Sequence, residues 1–281
     1  MSHLHTFSDP SFRDLLPEIP AAAAGIIAID FLRYFVSAAL VYVLVWWVFA
    51  RALAARKIMG IAPKPGQKMR EFKNSLRTAL IFGSTGSVIF ITTALGYSQI
   101  YGNLQDLGWA WWWASLGLII VLHDAWFYWT HRLLHRPWWF AKVHSVHHQS
   151  VHPTPWAAYS FHPVEAIIQA MYMVTVVHVM PLHPAVLFIF MTWMNLRNAV
   201  GHSAYELMPW RACTTGPLRW LVTNSHHHFH HAVGQGNFGL YFTWWDRWMG
   251  TEDVRYIANG KARFLPVAKS NSIKDSIKEA T

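Results

Sequence analysis

Long apolar runs separated by short polar connectors dominate most of the chain. Three runs, residues 31–50, 78–100 and 109–129, each have about the length needed to cross the hydrocarbon core of a bilayer. Residues 164–200 form two more apolar runs, which are interrupted at Pro181 and Pro184. We interpret these two runs as a helical hairpin that enters the bilayer and returns. The pattern predicts an all-α integral membrane protein with about four transmembrane helices.

The connectors differ in charge, and this difference predicts the orientation in the membrane. Residues 51–77 hold eight Lys or Arg against one Glu, whereas residues 101–108 hold no Lys or Arg. Because positively charged loops face the cytoplasm, we expect the 51–77 connector on the cytoplasmic side and the N-terminal tail on the opposite side. Asp30 and Arg33, at the start of the first run, are spaced i, i+3 and are expected to form an ion pair.

Composition supports the membrane class and restricts the chemistry. The chain has 281 residues, of which 53% are hydrophobic and 13% charged, whereas soluble domains are about 25% charged. A net charge of +9 is compatible with nucleic-acid binding, but the basic residues lie beside apolar runs, so we expect no nucleic-acid partner. A single cysteine, Cys213, excludes an internal disulfide and a cysteine-ligated iron–sulfur cluster.

Histidine is concentrated in one part of the chain, where its spacing follows the helical repeat. Sixteen of the 18 His lie between residues 123 and 231. Four polar residues fall on one face of a single predicted helix, at i, i+4, i+7 and i+11: Asp124, Tyr128, His131 and His135. Imidazole is the commonest neutral metal ligand, so this pattern favours a metal centre.

Two later histidine groups share the spacing i, i+3, i+4. With His131, His135 and His202, they give nine candidate ligands: His131, His135, His144, His147, His148, His202, His227, His230 and His231. Nine imidazoles exceed the four protein ligands of one zinc site, so two metal ions are expected. The additional His226 and His228 leave the register of the last group open, because His226 and His230 are also four residues apart.

The position of these groups predicts where the chemistry takes place. Every group follows an apolar run on the basic side of the membrane, so we expect a histidine-rich cytosolic cap that opens toward the bilayer. The chain then divides into an N-terminal tail (1–30), membrane helices with a basic loop (31–129), the first two histidine motifs (130–163), the membrane hairpin (164–200), the cap with the third motif (201–252) and a C-terminal tail (253–281). Such a site suits a lipid substrate.

Three reaction classes remain compatible with this metal centre. Histidine-rich coordination suits iron, zinc or copper, and a redox metal that activates O2 can attack an unactivated C–H bond. The alternatives are a dimetal lipid hydrolase and a divalent-metal transporter or sensor. Since the chain has no GxGxxG fingerprint and no cysteine cluster, an oxygenase would need a separate electron donor, of the cytochrome b5 or ferredoxin type with its reductase.

Three motifs, HRLLH (131–135), HSVHH (144–148) and HHFHH (227–231), resemble the histidine boxes of the fatty acid hydroxylase/sterol desaturase superfamily of membrane di-iron enzymes. The resemblance spans about residues 120–252, and PTPWAAYSFHPVE is most similar to the sterol desaturase branch. It implies a four-helix membrane base, a cytosolic cap and two Fe ions held by the nine His, with Zn possible in preparations. The implied membrane is the bacterial inner membrane or the endoplasmic reticulum.

Five further residues are expected to support the ligands. Asp124 and Asp246 could each orient an imidazole through its second ring nitrogen, and Tyr128 is either a hydrogen-bond donor near the metals or an interfacial aromatic. His162 is predicted to be an N-cap, with Pro163 and Glu165 in a capping box, or else to support the site. Asn198 stands where some superfamily members have an additional His.

Overall fold

A computed structural model of the chain describes residues 12–58 and 61–256, and within these ranges it is helical without strands. The eleven α-helices of the described part are α1 (Phe12–Leu15), α2 (Ile19–Val43), α3 (Gln67–Ala94), α4 (Gly108–Leu134), α5 (Pro137–Trp139), α6 (Ser145–His148), α7 (Pro163–Val179), α8 (Pro184–Gly201), α9 (Trp210–Thr214), α10 (Asn224–Val233) and α11 (Trp244–Trp248). Two π-helical turns, Leu44–Val48 and Phe140–His144, extend α2 and precede α6. The predicted C-terminal tail (253–281) lies largely outside the described residues, whereas most of the predicted N-terminal tail (1–30) is described and belongs to α1 and α2.

Prolines set several of the helix boundaries. The residue before a proline is kept out of the helical region, and Pro is well tolerated in the first turn. Arg136 is extended before Pro137, so α4 ends and the chain turns back into the second histidine motif. His162 and His183 are extended before the prolines that begin α7 and α8, and each accepts from a backbone N–H of its helix. The predicted N-cap at His162 is therefore present.

Two helices of the described part are long and apolar enough to cross a membrane: Ile19–Val48 and Gln67–Ala94. The helices predicted at 109–129 and 164–200 are present as α4, α7 and α8, but their membrane crossing remains a prediction. The first helix begins at Ile19, well before residue 31, because the Ala-rich stretch from residue 21 to 24 continues the helical pattern. Asp30 and Arg33 thus lie inside this helix, where they form the expected ion pair, 2.6 Å apart.

The basic connector also differs from the prediction, since its second half belongs to α3. The first half of α3 has a buried polar face, which consists of Gln67, Glu71, Asn74, Ser75 and Thr78. That face binds the segment 152–160. Gln67 donates to the His152 carbonyl oxygen, and Ser75 donates to the Trp156 carbonyl oxygen. The number of charges in the connector does not reveal this contact, because the 152–160 segment is far away in sequence.

The two ends of the helical bundle have different compositions. At one end the α3–α4 connector packs on the hairpin turn, where Gln99 N–H donates to the Val177 carbonyl oxygen and Tyr101 N–H to that of Leu182. At the other end lie the histidine motifs, one at the end of α4, one just before the 152–160 segment and one in α10, with His202 at the end of α8. This arrangement places all nine candidate ligands at the end of the bundle that also carries the basic connector.

Candidate metal centre

Nine histidines form two adjoining groups whose ring nitrogens converge. Within each group, one ligand atom per residue lies within 4.8 Å of all the others. The first group contains five residues: His131, His135, His144, His148 and His230. The second contains four: His147, His202, His227 and His231. The groups adjoin, since the His148 and His231 ring centroids are 4.9 Å apart.

Helix ends bring these side chains together. His131 lies in the last turn of α4, and His135 caps that helix. His144 ends a π-helical turn, α6 supplies His147 and His148, and His202 caps α8. Helix α10 supplies His227, His230 and His231 between its N-cap Thr223, whose side chain accepts from His226 N–H, and its C-cap Gly234, which has a φ of 72°. That positive φ favours glycine.

The distances between ring nitrogens indicate that a cation fits each group. In the first group, His131 Nε2 lies 3.1 Å from His144 Nε2, and His135 Nε2 lies 3.2 Å from His230 Nε2. In the second, His227 Nε2 lies 3.1 Å from His202 Nε2 and 3.2 Å from His231 Nε2. Two nitrogens this close suit one ion with bonds of about 2.0–2.1 Å to each.

The opposite ring nitrogens show which nitrogen faces the centre of each group. Nδ1 donates to a backbone carbonyl oxygen in three of the rings: His131 to Phe238 (2.9 Å), His230 to Gly236 (2.7 Å) and His202 to Asn198 (2.8 Å). A neutral imidazole that donates through Nδ1 has only a lone pair at Nε2. The Nε2 lone pairs of these three rings therefore face the other imidazoles of their groups, where a metal ion can accept them. His144 Nδ1 lies 2.8 Å from Glu165 Oε1, without the geometry of a hydrogen bond.

Burial keeps the ligands neutral. His135 is half-buried, and the other eight are buried. Burial, with a small opposing effect of the Gly236 carbonyl, lowers the pKa of His230 from 6.5 to about 4, and the pKa of His202 is likewise about 4. Because a metal ligand must be unprotonated, imidazoles with a lowered pKa are already in the form that binds a cation at neutral pH.

Glu165 is a site residue that sequence reasoning missed. It was expected to complete a capping box, but its carboxylate contacts His144 at the start of the hairpin and is 2% exposed. A carboxylate at the second ring nitrogen fixes the orientation of a ligating imidazole. Its position three residues after His162 suits a capping box equally well, so the sequence alone could not distinguish the two roles.

Asp246 supports the first group through the backbone. Its carboxylate accepts from the N–H groups of Phe238 and Gly239, each at 2.8 Å. This loop presents the Gly236 and Phe238 carbonyl oxygens to His230 and His131. The contact with a histidine that was expected of Asp246 is weaker, since His226 Nε2 lies 3.7 Å away.

Asp124 and Tyr128 support the cap rather than an imidazole. Asp124 accepts from Tyr241 N–H (2.8 Å) and from Trp244 Nε1 (2.9 Å), so it fastens the 241–244 segment to α4. The Tyr128 hydroxyl pairs with Thr251 Oγ1 at 2.9 Å, and Thr251 in turn donates to Asp246. Neither residue contacts a candidate ligand by hydrogen bonding, although both lie on the predicted face of α4.

The structure also shows what the remaining polar residues of the motifs contact. His226 and His228 lie outside both groups, because His226 faces Asp246 and His228 Nε2 lies 3.3 Å from His152 Nδ1. His162 only caps its helix. The Asn198 carbonyl oxygen accepts from His202, whereas its amide donates to the Ala158 carbonyl oxygen at 2.6 Å.

An apolar cavity of about 280 Å³ lies between the long helices and ends beside both groups. Its wall includes Phe127, whose ring lies 4.9 Å from that of His131, and Phe161, whose ring lies 5.1 Å from that of His147. Asn198, one turn before His202, completes this end. Residues of α2, α3, α7 and α8 form most of the rest, together with His123, Tyr159 and Leu240, so the cavity extends toward the apolar part of the bundle.

Comparison with known proteins agrees with this geometry. The model of the fatty acid hydroxylase family matches residues 116–251, which include all nine histidines. A Delta(7)-sterol 5(6)-desaturase from Gibberella zeae is 30% identical over 222 residues, covering 78% of this chain and 64% of that protein. No solved structure matches the chain.

Two mammalian relatives are similar over a shorter region. A lathosterol oxidase from Mus musculus is 32% identical over 162 residues, covering 57% of this chain and 52% of its own length. A methylsterol monooxygenase 1 from Rattus norvegicus is 34% identical over 141 residues, covering 49% and 46%. The chain thus spans between about half and two thirds of the curated relatives it matches.

Proposed function

Because the chain belongs to the fatty acid hydroxylase/sterol desaturase superfamily, we propose that it is a membrane-bound di-iron oxygenase. It hydroxylates or desaturates a lipid with O2 and with electrons from a separate donor. The observation that carries this proposal is the convergence of nine imidazoles in two adjoining groups at the end of an apolar cavity.

Each group of imidazoles would hold one iron ion. When bound, iron supplies the O2-dependent redox chemistry that no amino-acid side chain provides. The protein contributes neutral ligands with fixed orientations. The carbonyl oxygens of Gly236, Phe238 and Asn198 hold the Nδ1 protons of three rings, and a Glu165 carboxyl oxygen lies 2.8 Å from His144 Nδ1. Burial of the two groups excludes bulk water from the reacting centre.

The cavity favours a lipid substrate. Its wall is mainly aliphatic and aromatic, with Phe127 and Phe161 lying between it and the histidines. An apolar substrate held there presents a C–H bond toward the metal ions while water stays excluded. The three relatives are a sterol desaturase, a lathosterol oxidase and a methylsterol monooxygenase, so a sterol is the first substrate class to test, followed by fatty-acyl and sphingolipid substrates.

The membrane setting follows from the apolar helices and the charge distribution. We place four membrane-crossing segments at α2, α3, α4 and the α7–α8 hairpin, with the histidine groups on the cytoplasmic side, in the bacterial inner membrane or the endoplasmic reticulum. Half-buried His135 is next to the exposed, basic Arg136, and exposed Lys142 follows. A positively charged surface here suits an acidic electron carrier such as a cytochrome b5- or ferredoxin-type protein.

The test is lipid analysis by mass spectrometry of cells with and without the expressed protein. A product heavier by one oxygen identifies a hydroxylase, and loss of two hydrogens identifies a desaturase. We expect His147→Ala and His230→Ala, one from each group, to abolish product and to lower the iron content of purified protein. His178→Ala is the control, because His178 contacts Thr92 far from the groups.

Three results would contradict the proposal. Turnover retained in both histidine variants would show that the groups are not catalytic. Undiminished turnover without O2 would instead indicate a dimetal lipid hydrolase. Metal flux into proteoliposomes that the same variants block would indicate a transporter. Zinc in a preparation decides nothing alone, since imidazoles bind zinc well.

A further inference from the structure

The cavity wall contains an ion pair that the oxidation chemistry does not use. Asp30 and Arg33 of α2 both line the cavity, and Arg33 Nη2 donates to Asp30 Oδ1 at 2.6 Å. The Asp30 side chain is 2% exposed and the Arg33 side chain 12%. Burying two charges in an apolar helix is costly, so ionisable residues at such positions are functional candidates.

Each member of this pair has a polar atom left over. Asp30 Oδ2 and Arg33 Nε are buried without a hydrogen-bond partner. Thr85 and Tyr172 of the same wall are by contrast occupied, since their hydroxyls donate to the carbonyl oxygens of Ile81 and Ile119. Tyr159 Oη and Gln169 Oε1 of this wall also lack a hydrogen-bond partner. The ion pair offers one acceptor and one donor at the same place, in a mainly apolar cavity.

A hydroxyl group matches this combination. A hydroxyl both donates and accepts a hydrogen bond, and it is uncharged like the ion pair as a whole. A carboxylate or phosphate would be repelled by Asp30, and an ammonium group by Arg33. We propose that Asp30 and Arg33 form a subsite for a hydroxyl group, so that the substrate of the proposed oxygenase is a lipid alcohol. This inference rests on the proposed function.

The position of the subsite relative to the histidines follows from Tyr159 and helix α8. Tyr159 lines the cavity close to both charges and adjoins Asn195. Asn195 precedes His202 by seven residues on α8, which corresponds to about 10 Å along the helix axis. A substrate anchored by its hydroxyl at Asp30 and Arg33 therefore presents carbons several bonds away from that hydroxyl to the metal centre.

The test compares an alcohol with its methyl ether, which cannot donate a hydrogen bond. Dehydroergosterol, a fluorescent sterol alcohol, and its 3-methyl ether are bound to the metal-loaded, detergent-solubilised protein. The variant is Asp30→Leu with Arg33→Met, because replacing a whole buried ion pair by apolar residues usually preserves folding. We expect the affinity for the alcohol to fall by about tenfold or more and that for the ether to stay unchanged.

Hexadecan-1-ol and its methyl ether form a second pair, measured by calorimetry, which covers a chain-like substrate. The matched control is Asp253→Leu with Arg255→Met, which removes a surface ion pair outside the cavity and should leave both affinities unchanged. Equal wild-type affinity for alcohol and ether in both pairs overturns the subsite, as does equal loss of both in the cavity variant. Binding requires no turnover, so these results are independent of whether lipid oxidation is detected.

Discussion

Asp246 allows the most direct test of how the metal centre is held, because it acts on two ligands without contacting either. Its two oxygens accept from Phe238 N–H and Gly239 N–H. The loop fixed in this way presents carbonyl oxygens to His131 and His230. Asp246→Asn keeps the shape of the side chain but replaces one acceptor oxygen by an NH2 group, so one backbone N–H faces another donor.

The expected magnitude follows from these contacts. A hydrogen bond to a charged group contributes about 1.5–3 kcal/mol, and Asp246→Asn removes one such bond and weakens the second. Since loss of the groups that orient metal ligands typically lowers metal affinity about 10–100-fold, we expect a loss in this range, confined to the first group. The five-histidine group should therefore lose iron before the four-histidine group does.

Metal affinity is measured by chelator competition, with iron per chain determined on the same samples. Glu252→Gln is the matched control, because Glu252 is also a carboxylate of this segment but pairs with Arg247 and Tyr256 instead of the loop. Wild-type affinity in Asp246→Asn would refute the idea that the loop orients His131 and His230. The same loss in Glu252→Gln would show that the effect is only general loosening of the cap.

Three further predictions concern the imidazoles and their partners. Glu165→Ala should lower metal affinity by at least about tenfold, because the carboxyl oxygen 2.8 Å from His144 Nδ1 is lost. Glu165→Gln, which keeps an acceptor oxygen, should lower it by less. Equal losses in the two variants would show that an acceptor at residue 165 does not orient His144. Asn198→His should raise the metal affinity of the four-histidine group, since Asn198 is one turn before His202, and an unchanged value in chelator competition would contradict this. The metal-free protein should lose stability as the pH falls from about 6.5 toward 4. In the folded protein His230 and His202 have pKa values of about 4, so in this pH range the unfolded chain binds more protons than the folded one. Denaturant midpoints that do not change with pH in this range would refute the prediction.

Local periodicity was sufficient to identify the nine histidines, but it could not identify what holds them. Residues spaced i, i+3 and i+4 share a helix face wherever the helix lies, so the nine candidate ligands could be predicted without the fold. Their division into two groups could not, because the structure places His144 and His148 in one group and His147 in the other. The choice of His227 over His226 depends on Asp246, which lies twenty residues further along the chain and faces His226. The carbonyl oxygens of Gly236 and Phe238 leave no mark in the sequence, because any residue has a carbonyl group.

The first long helix, α2, shows a second limit of prediction from the sequence. A window of apolar residues places its start after Asp30, since a charged residue normally marks the edge of a membrane segment. The helix continues through Asp30 and Arg33 because the two charges neutralise each other in a cavity wall. Sequence predicted the ion pair correctly and its position wrongly, because the cavity around the pair is formed by several segments that are distant in sequence, including α3, α7 and α8.

The position of the metal centre at the ends of helices has a physical cause. An acceptor at the second ring nitrogen orients a ligating imidazole, and His131 and His230 have theirs in the loop carbonyl oxygens of Phe238 and Gly236. A regular helix uses its own carbonyl oxygens for internal hydrogen bonds and frees them only in its last turn, where the Asn198 carbonyl accepts from His202. Irregular backbone is not tolerated where it faces lipid. The centre is therefore expected just outside the apolar bundle, at the end of the cavity that Phe127 and Phe161 line.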